Sequence, residues 1–160
     1  MTYNEVFTRH TAVQNVPLTM EGRALPAKTQ ASVVLKRVYY GNLVDGFEKD
    51  MQKAVEDFKT EGFDERLMKY REAKDKDGNH TDEAFEQELE ELNAKYAEAR
   101  NQKAVEEVSA KPRLLTEGEL ADIIEVVGVT GDMEIMVAGK TEVMPKERFI
   151  SMLAAVMVEQ

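Results

Sequence analysis

The chain has 160 residues with 31 acidic and 21 basic side chains, a formal charge of −10, no cysteine, no tryptophan and two histidines. Without cysteine there can be no disulfide framework, no thiolate-held zinc or iron–sulfur site and no cysteine nucleophile. So acidic a chain argues against nucleic acid as a partner, because neutralising phosphates requires clustered Lys and Arg.

In chain order, Val6, Phe7, Val13, Val16 and Met20 predict a first helix within 4–21, with Pro17 kinking or ending it. Gly22-Arg23-Ala24-Leu25 reads as a turn, and Pro26 sits where a helix accepts its first residue. From Pro26 to about Lys59 the pattern is helical: Tyr40, Val44, Phe47, Met51, Ala54 and Phe58 advance by steps of four and three, a heptad seam. Upstream, Ala31, Val34, Leu35 and Val38 extend the apolar face with a slight change of register. Gly41 and Gly46 each cost about 1 kcal/mol in a helix interior, and so suggest a close crossing or a bend.

A shorter helix is predicted over 63–74, followed by a turn at 74–79. A second long helix then runs over 82–108, where Phe85, Leu89, Leu92, Tyr96 and Ala99 repeat the rhythm. Two long helices with matching seams predict an antiparallel hairpin. The interface candidates are Tyr40, Val44, Phe47, Met51, Phe85, Leu89, Leu92 and Tyr96, burying against each other or against a neighbouring copy. After Pro112, Thr116 and Glu119 have capping-box spacing ahead of Leu120, Ile123, Ile124 and Val127. Two strand-like runs at 133–137 and 140–144 predict a hairpin, and Pro145 opens a last helix. The expected fold is mainly α: a long helical hairpin (26–58 and 82–108), short flanking helices, and a C-terminal β-hairpin plus helix. Residues 1–112 form the helical domain, with 113–160 an α+β segment packed on it.

The stretch 75–86 comes nearest to a metal site. Asp75, Asp77, Asn79 and Glu86 stand at the oxygen-donor positions of an EF-hand loop. However, His80 occupies the position that needs a positive φ, and Asp82 the usual aliphatic one, so the stretch reads as a solvated turn. Gly139-Lys140-Thr141 resembles the end of a phosphate loop, but Glu134 stands where its earlier glycine belongs. No serine–histidine or paired-carboxylate spacing supports catalysis, so the chain reads as non-enzymatic, with no cofactor.

The start, Met1-Thr2-Tyr3-Asn4-Glu5, has no basic, apolar leader. The longest apolar run, 152–158, falls far short of the roughly 20 residues that span a bilayer. No membrane partner is therefore expected. The charge is uneven: residues 1–44 carry a net +3, 45–81 −3, 82–107 −6 and 108–160 −4. A basic head on an acidic body suits oriented contact between copies.

The succession of a short helix, Leu25-Pro26-Ala27-Lys28-Thr29 opening a long one, a Lys-Asp-Gly-Asn turn, Phe85 to Leu92, and a short helix after Leu115-Thr116 resembles a known class over residues 4–127. That class is the small, acidic, mostly helical proteins encoded among the structural genes of tailed bacteriophages. The resemblance implies a virion or assembly component, located in the virion or the host cytoplasm, that contacts other virion proteins and itself. It carries over no functional residue. The alternative is a small acidic inhibitor or adaptor binding a host protein, such as a nuclease with a basic channel.

Overall fold

The computed structural model describes residues 1–76, 78 and 82–158. The chain divides into two compact units, Met1–Gly46 with Glu106–Gln160, and Phe47–Val105, so the division does not fall at residue 112.

In the first unit, helix α1 (Tyr3–Gln14) starts on a capping box: Thr2 Oγ1 accepts from the Glu5 amide and Glu5 accepts from the Thr2 amide. It ends earlier than the 4–21 pattern implies. The residue before a proline is pushed out of helical backbone, and Val16 precedes Pro17. The turn expected at 22–25 is instead the tip and return strand of a tight hairpin, β1 (Thr19–Met20) with β2 (Arg23–Ala24). Its central residues Glu21 and Gly22 have φ of 51° and 78°, the primed turn that matches strand twist.

Helix α2 (Ala27–Phe58) is a single 32-residue helix. Gly41 and Gly46 mark no close crossing. A methyl group on Gly41 would lie 3.8 Å from His10 Nε2, and one on Gly46 would meet nothing within 4 Å.

Helix α5 (Glu117–Val127) carries the capping box read from Thr116 and Glu119. The expected hairpin is present as β3 (Asp132–Val137) and β4 (Lys140–Pro145), pairing Met133 with Met144 and Val137 with Lys140. Gly139-Lys140-Thr141 is its turn and first strand residues, with Ala138 and Gly139 at φ of 49° and 77°. Asn15 extends this sheet by side chain: its amide donates to Met136 O at 2.9 Å and accepts from Met136 N at 2.6 Å.

Helix α6 (Lys146–Met157) packs on α1, and Arg9 Nε donates to Val156 O. The return segment is tied to the chain start, since Val108 N donates to Met1 O at 2.8 Å. Further on, Leu115 N donates to Met157 O at 2.6 Å. Seventeen buried apolar residues, among them Val13, Val33, Ile123, Phe149 and Leu153, form one core here.

The second unit contains the end of α2, helix α3 (Phe63–Lys76) and helix α4 (Glu83–Ala104). Antiparallel pairing of α2 with α4 is marked by Glu48–Arg100 at 3.0 Å and Asp50–Lys103 at 2.8 Å. At the other end, Thr60 donates to Glu88. Among the described residues of this unit, the buried apolar ones are Phe47, Met51, Phe63 and Phe85. Aromatic and cationic contacts supplement them, with Phe63 and Tyr70 against Phe85 at 5.5 and 5.3 Å and Arg100 over Phe47 at 4.9 Å.

Candidate interface on the long helix

The heptad seam proposed as an interface is turned inward. Tyr40 and Phe47 are fully buried, Met51 and Phe85 nearly so, and Val44, Leu89, Leu92 and Tyr96 are half-buried. These residues pack the chain itself, the first of the two arrangements open to the seam.

Helix α2 also has a second, exposed apolar side, set by what the helix buries. Between 27 and 44 the helix buries Thr29, Val33, Lys36 and Tyr40, four residues at helical spacing. Two of the four are polar, and α5 supplies their partners. Thr29 donates to Asp122, and Lys36 lies 3.3 Å from Glu119 while also donating to Ser32. Burial pushes the Glu119 carboxyl up. Hydrogen bonds from Ser32 and the Thr116 amide, with the Lys36 charge, outweigh that and leave it below the ordinary glutamate value.

The return segment is clamped on the same region. Tyr40 Oη donates to Arg113 O and accepts from Arg113 N, both at 3.0 Å, and burial raises the Tyr40 pKa. Beside it, Tyr39 Oη donates to Lys111 O at 2.6 Å and the Arg113 guanidinium stacks 4.2 Å above the Tyr39 ring. Arg37 closes α1: it donates to Val13 O at 3.1 Å and to Val16 O, where a cation suits the helix C-terminus.

With that side locked, the apolar residues read as extending the apolar face with a change of register point away from it. Val34, Leu35 and Val38 are 42, 63 and 56 % exposed, and Ala31 is exposed with them. A helix apolar on two sides has one side left over, and here that side is an exposed apolar stripe. Sequence reasoning found these four residues as apolar, and the change of register it noted is the turn away from the buried side.

The remaining candidates carry less. Asp77, Asn79 and His80 lie outside the described residues. Asp75 is inside helix α3, not in a loop, and Glu86 accepts from Tyr70 Oη. Among the described residues no group of three or more His, Asp or Glu side chains could hold a metal ion. A groove of about 430 Å³ between α3 and α4 is lined by Arg66, Tyr70, Phe85 and Glu88 among others. Within it Arg66 pairs with Glu88 at 2.8 Å and stacks on Phe85 at 5.9 Å. No described helix is long and apolar enough to cross a membrane. No family model matches the chain, and neither a curated protein nor a solved structure matches it.

Proposed function

We propose that this protein is a non-enzymatic bacteriophage structural or assembly component that works through protein–protein contacts. The observation that supports contact as its business is the outward stripe on α2, where Val34, Leu35 and Val38 stand in solvent on a fully formed helix. Burying one such side chain stabilises an association by about 1.5–3 kcal/mol, so leaving three exposed forgoes stability unless a partner covers them. The phage setting rests on the resemblance across residues 4–127. The alternative, an acidic decoy for a basic channel, is less well supported. In the second unit Glu48, Asp50, Glu56, Asp64 and Glu88 face cations of their own chain, which lowers the field available to a partner.

The test is fractionation of an infected-cell lysate on a density gradient, with the protein followed by mass spectrometry. The expected outcome is co-migration with virions or with capsid or tail intermediates. Confinement to the free-protein fractions at every stage of infection would overturn the reading.

A further inference from the structure

The outward side of α2 has its own heptad. Lys28, Ala31, Leu35, Val38, Asn42 and Asp45 advance by steps of three and four, and all six are exposed. Their pattern has an apolar centre, a single polar amide and opposite charges at the two ends. Farther along, the same face carries exposed Lys49, Gln52 and Glu56, so the apolar contact is confined to the part before Asn42.

We propose that this seam packs antiparallel, about a two-fold axis, against the same seam of a second copy of the chain. The inference rests on reading the protein as an assembly component and names the partner of that surface. Its argument is self-complementarity. In a two-fold contact, if residue i meets residue j, then j meets i. Antiparallel layers of this heptad pair Leu35 with Val38 of the second copy at the centre. Next come Ala31 with Asn42, then Lys28 with Asp45, and each layer is repeated by symmetry.

Every layer is thereby matched. Two branched apolar side chains fill the middle, the small Ala31 leaves room for the Asn42 amide, and a cation meets a carboxylate at both ends. A parallel arrangement would stack Lys28 on Lys28 and Asp45 on Asp45, which like charge disfavours. A lone asparagine at a seam position selects one register at some cost in stability. Here it opposes sliding of one helix along the other.

The seam is short, about 26 Å from Lys28 to Asp45 at the helical rise. That is less than a standard stable interface presents, so the pair dissociates on dilution and forms where copies are concentrated.

The experiment is analytical ultracentrifugation of the full chain over a wide concentration range, with three variants. The wild type is expected to rise from 18.1 kDa toward twice that mass with increasing concentration. Leu35→Glu should raise the dissociation constant by at least about tenfold, with an unchanged thermal transition because the site is in solvent. Lys28→Glu and Asp45→Lys should each weaken self-pairing several-fold. Mixed together, these two should form heterodimers at wild-type strength or better, since both end contacts then join opposite charges.

A chain that stays monomeric throughout would overturn the proposal, as would a dimer indifferent to Leu35→Glu or to the charge exchange. A monomer whose stripe nevertheless binds another virion protein would overturn the second copy as occupant. It would leave the assembly function standing. Absence from virions and intermediates, with self-pairing intact, would do the reverse.

Discussion

From residue 47 onward α2 turns its apolar seam inward, with Phe47 and Met51 buried beneath α4 contacts such as Glu48–Arg100. Between 27 and 40 the same side buries Val33 and Tyr40 but takes in polar residues as well, and apolar ones are left outside. The side with Val34, Leu35 and Val38 faces solvent, and the side with Thr29 and Lys36 is buried. Apolarity alone therefore does not choose a buried face. A polar residue can go inside when its partner arrives already positioned, and Glu119 and Asp122 of α5 are such partners, 83 and 93 residues away in sequence. Where partners of that kind are lacking, as at Phe47 and Met51, the ordinary hydrophobic rule holds.

Breaking the ordinary side should cost most. Phe47→Ala removes a fully buried ring from a unit with four buried apolar residues among those described, and should lower unfolding free energy by about 3–5 kcal/mol in urea titrations. Since the whole chain is held by about 5–15 kcal/mol, that variant should unfold over a much lower urea range.

Breaking the polar side should cost less. Lys36→Met leaves Glu119 without its cation but with its Ser32 and Thr116 hydrogen bonds, for an expected loss of about 1–3 kcal/mol by the same titration. Glu119 also gives this region a pH dependence. Its folded pKa is depressed, so its contribution is present above the unfolded glutamate value and is lost as pH falls through the folded one. Urea midpoints measured from neutral into acid should therefore fall, and Glu119→Gln should flatten that fall.

A sharper version of the comparison takes two residues from one turn of helix. Val33→Ala, at a fully buried position, should lose roughly 2 kcal/mol. Leu35→Ala, at 63 % exposure, should change stability by less than about 0.5 kcal/mol, although leucine is the larger side chain. Equal losses at the two sites would mean that the stripe is covered within the chain.

The smallest effect belongs to His10, where α1 meets α2 near Gly41. Burial lowers its pKa, and the charge of Asp45 only partly offsets that. A histidine depressed on folding loses stability as pH falls from its unfolded value of about 6.5 toward the folded one. His10→Gln should remove a shallow slope there in thermal-shift measurements.

Local chemistry was enough to read much of this protein. The capping box at Thr116, the Gly139 hairpin, the opening of α2 at Pro26 and the inward seam at Phe47 and Met51 all depend on residues within one or two turns of each other. Caps, primed turns and heptads are short-range devices, and their spacing is visible in a single chain. Three features came only with the tertiary structure. The two ends of the chain share a core, through bonds such as Leu115 N to Met157 O; the middle folds as a unit of its own; and α2 shows an apolar stripe to solvent. Each depends on groups distant in sequence. The stripe, and with it the candidate interface, faces outward because the other side of the helix is filled by Val33 and Tyr40 and by the contacts of Thr29 and Lys36 with Asp122 and Glu119.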